Sequence, residues 1–184
     1  PDEVTDALLD GATHLHLGGP EFLGGEAAAK ILRRAKDRGI TTSADVLAPG
    51  DPGILDWIGD ALPLLDYFLP NDEQAIGFTG ADDLLSACRA LLDRGIGCVA
   101  ATRGGEGALV VDADGAIAVP ATEIEVVDTT GCGDAFSAGF LRGLALGRNH
   151  EDAARLGCAT AGIVAGGLGS DHGDYDLATV EAIA

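Results

Sequence analysis

The chain has 184 residues, of which 47% are hydrophobic, so it can bury a sizeable core as one folded domain and is not a disordered polar chain. Its 30 acidic residues outnumber 11 basic ones, and a net charge of −19 sets its surface against nucleic acid and anionic lipid headgroups. The 4 cysteines stand far apart with no C-x-x-C pair, which suits neither zinc nor a disulfide framework and points to a reducing cytoplasm.

In chain order, short apolar runs alternate with helical periodicity. Residues 12–17 read as a strand, 24–38 as a helix, 40–46 as a strand and 52–61 as a short helix. A strand over 65–69, a helix over 81–94 and a strand over 97–102 follow. The phrase Asp-Arg-Gly-Ile occurs at 37–40 and again at 93–96, with Gly39 and Gly95 placed as helix stops before a strand. Repeated helix–strand units with short connections predict an α/β fold with a mostly parallel sheet and helices on both faces. Residues 108–119 then form two apolar runs around Asp114-Gly115, a type I′ hairpin signal that predicts antiparallel strands at one edge. The spacing predicts helices over 132–146 and 151–164, the second rich in Ala and Gly and so expected to pack closely. No apolar run reaches the ~18 residues needed to cross a bilayer, and no signal peptide is apparent. The chain starts at Pro1 and contains no Met, so it is expected to be part of a longer protein.

The sharpest feature is Val127-Asp-Thr-Thr-Gly-Cys-Gly-Asp-Ala-Phe136. Two glycines two residues apart at the start of an apolar helix leave backbone N–H groups free to face an anion, and the helix dipole adds positive potential there. Asp134 falls in the first turn, where those groups favour its ionised form. A carboxylate beside an anion hole suits phosphoryl transfer to an alcohol, because it takes the hydroxyl proton while amides stabilise the transferred charge. The plainer reading is a capped helix start with glycines for a tight turn.

Asp128-Thr-Thr-Gly-Cys-Gly-Asp134 resembles the second signature of the ribokinase-like (PfkB) carbohydrate kinases. Leu69-Pro-Asn-Asp-Glu-Gln-Ala75 is similar to that family's Pro-Asn-x-x-Glu segment, and Thr102-Arg-Gly-Gly-Glu-Gly107 to its Thr-x-Gly-x-x-Gly nucleotide loop. Residues 156–170 resemble its adenine-side helix and the loop after it. The resemblance implies a ribokinase-like fold and transfer of the γ-phosphoryl group of ATP to a hydroxymethyl group of a sugar or nucleoside. It implies Asp134 as general base, with Gly131, Cys132 and Gly133 as the anion hole. It sets Asn71 near the nucleotide phosphates and magnesium waters, and Thr102, Gly104 and Gly107 at phosphate and ribose. Cys158 would lie beside adenine, and Arg103 either reaches a phosphate or is solvated. Asp128 and Thr130 match positions that bind a monovalent cation, K⁺, with carbonyls of Val164, Gly167 and Gly169 completing that site; alternatively they only cap the turn. The implied partners are ATP and the small substrate, with a homodimer in the full-length protein.

Three positions depart from the family pattern. Gln74 stands where the family has Glu, so the charge that orders magnesium-bound water is missing or passes to Glu73 or Asp72. Cys132 replaces Ala at a helix N-terminus, which lowers a cysteine pKa and makes the thiol a candidate for reactivity. Cys158 replaces a commonly polar residue. Family members are also longer, so residues 1–184 correspond to one kinase domain lacking the N-terminal sugar-binding strands and lid. A nucleotide-binding fragment without catalysis, a degenerate kinase and a vitamin kinase of the same superfamily stay open as alternatives. Elsewhere, His14 and His16 alternate on one strand face as satisfied polar residues, Trp57 is expected as a packing anchor, and Asp45 ends a strand where ligands bind in open α/β sheets. Asp171, Asp174 and Asp176 read as a solvated acidic turn.

Overall fold

A computed structural model describes residues 2–184. Its elements in order are α1 (Asp6–Leu9), β1 (His14–Gly18), α2 (Gly25–Lys36), β2 (Thr41–Asp45), α3 (Pro52–Trp57), β3 (Tyr67–Phe68) and α4 (Asp72–Thr79). There follow α5 (Leu84–Leu92), β4 (Cys98–Thr102), β5 (Ala108–Asp112), β6 (Ala116–Val119), α6 (Cys132–Ala145), α7 (His150–Ala165) and α8 (Leu177–Glu181). The six strands lie in the order β1-β2-β3-β4-β5-β6. The β1–β2, β2–β3 and β3–β4 pairs are parallel, with His16 opposite Ser43 and Tyr67 opposite Cys98. The expected α/β class, mostly parallel with an antiparallel edge pair, is the class observed.

The chain divides into two compact units, one of residues up to 101 with 111–115, the other of 102–110 with 116–184. In the first unit, Leu32, Ile58, Leu62, Phe68, Leu91 and Val99 are fully buried, and Ala28, Ala29, Ile31 and Ala35 give α2 its inner face. Both Asp-Arg-Gly-Ile repeats stop their helices as expected. Gly39 and Gly95 have φ of +70° and +95°, the left-handed region that a side chain resists, and each lets the chain turn sharply into the following strand.

In the second unit α6 and α7 pack backbone to backbone. A Cβ added at Gly139 would stand 2.8 Å from the Gly157 Cα, and one at Gly143 would stand 2.7 Å from the Ala153 Cα. Small residues are therefore required on both faces, which is why the Ala- and Gly-rich pattern predicted close packing. Phe136, Phe140 and Leu156 fill the rest of that core.

Several expectations are corrected. The turn at 113–115 is not type I′, because no non-glycine residue has a positive φ, Asp114 included. Instead the Asp112 carboxylate accepts from the backbone N–H of Asp114 and Gly115 (2.9 and 3.1 Å), so a side-chain acceptor shapes the turn, which the Asp112 N–H closes on the Gly115 carbonyl (3.0 Å). The helix expected over 52–61 stops at Trp57, and Trp57 is 60% exposed with its Nε1 donating to the Glu21 carbonyl (3.0 Å), not a buried anchor. The helix expected over 81–94 starts only at Leu84, because the Asp83 side chain caps it by accepting from the Ser86 N–H. Asp176 is likewise a cap, accepting from the Thr179 N–H and starting α8.

The unforeseen helix α4 changes the meaning of Gln74. Asn71 and Gln74 form a reciprocal capping box: Asn71 Oδ1 accepts from the Gln74 N–H (2.7 Å), and Gln74 Oε1 accepts from the Asn71 N–H (2.9 Å). The Gln74 Nε2 also donates to the carbonyls of Val46 and Ala48 (2.9 and 3.0 Å). A glutamate could keep the box but not those two donations, and it would set a carboxylate against two carbonyl oxygens. Gln74→Glu is therefore expected to cost roughly 1–3 kcal/mol, read as a lower urea midpoint with unchanged slope. An unchanged midpoint would show that the two Nε2 hydrogen bonds contribute nothing.

Candidate functional site

The start of α6 is built on Gly131, whose φ of +80° lies in the left-handed region. A Cβ there would overlap the Ser170 carbonyl, so Gly131 is required by conformation and by close approach. Gly133 differs: nothing lies within 4 Å of an added Cβ, so its position opens onto free space. Asp134 follows in the first turn with its side chain exposed. Cys132 is partly buried and its Sγ faces the Ala161 carbonyl at 3.6 Å. Burial, with the Asp128 charge adding to it, pushes the Cys132 thiol above its ordinary 9.0. Burial and the Asp128 charge thus work against the thiolate that a helix N-terminus favours.

The loop from Thr102 to Gly107 closes on itself. The Arg103 N–H donates to the Gly107 carbonyl (2.7 Å), and the Gly107 N–H donates back to that of Gly104 (3.1 Å). Gly104 and Gly107 have φ of +52° and +89°, and a Cβ at Gly107 would overlap the Val119 carbonyl. The Arg103 guanidinium turns onto this loop, with Nη2 donating to the Glu106 carbonyl (2.9 Å), while its Nε is buried without a partner.

A cleft of about 180 Å³ in the second unit brings these segments together. Thr102, Gly104 and Gly107 line it beside Cys132 and Gly133, and Cys158 lies on the α7 wall. Burial raises the Cys158 thiol to about 11, so at neutral pH it offers an uncharged apolar surface. The wall from Ala121 to Val126 and the α7 positions Ala161, Gly162 and Ala165 escaped the sequence reading. Their one signal was apolar Ile124 and Val126 alternating with Glu123 and Glu125 in a stretch with no assigned element. Gly162 matters because an added Cβ would stand 3.2 Å from the Thr122 Cβ, so glycine lets the wall approach α7.

The candidate cation ligands are partly brought together. Asp128 Oδ1 accepts from the Thr130 N–H and Oγ1–H (3.0 and 2.8 Å), and its Oδ2 accepts from the Gly169 N–H (3.1 Å). These hydrogen bonds, the Thr130 and Gly169 backbone donors foremost, hold the Asp128 carboxyl below its ordinary 3.8. A lowered folded value means the clamp is intact at neutral pH and opens only as pH falls below that range. The Val164 carbonyl accepts from the Gly167 N–H (3.4 Å), and Gly167 faces the His172 ring, which an added Cβ would overlap. Turn capping is thus the role these contacts directly display for Asp128 and Thr130. Asn71 and Glu73 belong to the first unit, at the cap and first turn of α4.

Comparison with known proteins follows this geometry. A cytidine kinase of Thermococcus kodakarensis is 39% identical over 108 residues, covering 58% of this chain and 39% of that protein. An ATP-dependent ribose-1-phosphate kinase of Halopiger xanaduensis is 31% identical over 185 residues, covering 100% of this chain and 57% of that one. The crystal structure of a ribokinase from Thermotoga maritima superposes with a TM-score of 0.80 at 26% identity, covering 100% of this chain and 60% of that one. The chain therefore spans between 39% and 57% of the length of these two curated relatives. The sequence pattern of the pfkB family carbohydrate kinases matches residues 2–175, and with the glycine-built cleft at the head of α6 this identifies the chain as a member of that family.

Proposed function

We propose that residues 1–184 form one kinase domain, the C-terminal part of an ATP-dependent enzyme that phosphorylates a hydroxymethyl group of a sugar or nucleoside. The observation that carries this reading is the single cleft lined by Thr102, Gly104, Gly107, Cys132, Gly133 and Cys158, with Asp134 in the turn beside it. The chemistry balances simply. Asp134 takes the proton of the substrate hydroxyl, the oxygen forms a bond to the γ-phosphorus, and the bond from that phosphorus to the bridging oxygen breaks to release ADP. Backbone N–H groups of Gly131, Cys132 and Gly133 stabilise the charge on the moving group without reorganising. Thr102, Gly104 and Gly107 hold phosphate and ribose, Cys158 packs beside adenine, and Arg103 flanks the phosphates.

Magnesium would enter bound to ATP and neutralise phosphate charge there. Asp128, ionised at neutral pH, together with Thr130 and the carbonyls of Val164, Gly167 and Gly169, fits a K⁺ ion that would order the α6 entry. The reading extends to a cytoplasmic enzyme that dimerises in its longer form. The structure itself contains no helix long and apolar enough to cross a membrane among the described residues.

The test is ATP consumption by the full-length protein over a panel of sugars and nucleosides, in K⁺ and in Na⁺ buffers. Turnover on one substrate is expected, faster in K⁺. An identical rate in both buffers would remove the cation site, and ATP binding without turnover on any substrate would move the chain to a non-catalytic nucleotide binder.

A further inference from the structure

The first unit holds a polar chain that the kinase assignment leaves unused. On one face of the β1–β2 pair, His14 Nε2 lies 2.7 Å from Ser43 Oγ, and His16 Nδ1 lies 2.8 Å from the same oxygen. His16 Nε2 then lies 3.5 Å from Asp45 Oδ1 at the carboxyl end of β2. Ser43 is fully buried and has one hydroxyl proton, so it can donate to only one of the two imidazoles. Attraction to Asp45 requires the proton of His16 on Nε2. With that proton on Nε2 and Nδ1 bare, His16 takes the Ser43 proton, and Ser43 accepts from His14 Nε2–H. All three donors point toward Asp45. Burial, followed by repulsion from His16, pushes the His14 pKa below its ordinary 6.5 against the opposing pull of Asp66, which keeps that ring neutral at pH 7.5.

The surroundings of Asp45 are short of donors and rigid. Its Oδ1 is buried with no hydrogen-bond partner, so the 17% exposure of its side chain comes from its other atoms. Nearby, Glu21 Oε1 accepts from the N–H groups of Leu47 and Ala48 (2.8 and 2.9 Å), while Glu21 Oε2 is buried without a partner. Gln74 grips the same segment through the Val46 and Ala48 carbonyls. One oxygen of Asp45 and one of Glu21 thus lack a hydrogen-bond donor on a segment held from two sides, and strand carboxyl ends are where open α/β sheets take ligands. A phosphate is repelled there. Among the described residues Asp45 belongs to no cluster of three metal-ligating side chains.

We propose that Asp45 is a binding residue for hydroxyl groups of an uncharged polyhydroxylated ligand, and that His16, Ser43 and His14 are positioning residues that orient its carboxylate. The ligand's hydroxyl donates to Oδ2 while His16 steers Oδ1. This deepens the kinase reading and rests on it for the class of ligand.

The test uses ¹⁵N- and ¹³C-labelled full-length protein at pH 7.5, titrated separately with D-ribose, D-fructose, D-glucose, cytidine and adenosine. His14 is expected as its neutral Nε2–H tautomer, and His16 with its proton on Nε2 and its Nδ1 bare. The Asp45 Cγ and His16 Nε2 resonances are expected to shift saturably with one of these probes. Asp45→Asn should weaken that binding tenfold or more, and Ser43→Ala should unlock the His16 tautomer. An Nδ1–H or doubly protonated His16, or no shift at Asp45 with any probe, overturns the proposal; both readings come from the unsubstituted protein, so a variant that fails to fold does not blunt the test. Turnover measured on the same samples keeps the two readings apart, because saturable shifts without ATP consumption would sink the kinase reading and leave this one standing.

Discussion

Asp134→Asn in the full-length protein is expected to lower turnover by about 10²–10⁴-fold, the range a positioned general base contributes. Asparagine keeps the size of the side chain and removes only its ability to take the substrate proton. The affinity for ATP should stay within a few-fold, because the proposed anion hole uses main chain at Gly131, Cys132 and Gly133 and not the Asp134 side chain. The turnover number and its ratio to KM should fall together, since the lost interaction exists only while the proton moves. Asp134 is exposed and starts no cap hydrogen bond, so the urea midpoint should not move. Turnover near that of the unsubstituted protein would remove Asp134 as the base.

The second large effect separates the two glycines that look alike in the motif. Gly131→Ala is expected to destabilise the protein by on the order of 3 kcal/mol, because it adds left-handed strain to a clash with backbone. The new methyl would overlap the Ser170 carbonyl, so either the 166–170 loop moves or the first turn of α6 unwinds. Either response also breaks the Asp128 to Gly169 hydrogen bond's geometry, and turnover should collapse with stability. Gly133→Ala should behave in the opposite way. Its methyl meets nothing within 4 Å, and alanine favours a helix over glycine by up to about 1 kcal/mol, so stability should hold or rise. Gly133 lines the cleft, however, and a methyl there obstructs an approaching phosphate, so turnover should still fall. Equal thermal stability of the two variants would contradict the packing described for Gly131, while full activity of Gly133→Ala would show that no ligand passes that wall.

The amino-acid sequence determined more about the site than about its supports. Gly39 and Gly95 marked helix ends because only a left-handed residue makes that turn, and the parallel order followed from helices recurring between short apolar runs. The left-handed Gly131 and the helix start in Asp128-Thr-Thr-Gly-Cys-Gly-Asp134 were legible because their demands are local: a positive φ and a carboxylate in the first turn of a helix. Helix α4 was missed because its start signal, Asn71 with Gln74, was read as a departure from a motif instead of a capping box.

What the tertiary structure alone decided lies in contacts between segments distant in sequence. The Cys132 thiol is pushed up by burial where its Sγ meets the Ala161 carbonyl, an effect opposite in sign to that of the local helix dipole. The Gln74 amide serves as a donor because two carbonyls at Val46 and Ala48 stand within reach of its Nε2. The chain from His14 through Ser43 to Asp45 exists because β1 and β2 pair in one register, opposing His16 to Ser43. Local backbone conformation is written in neighbouring residues, whereas desolvation and cross-strand proximity depend on which surfaces meet when the chain has folded.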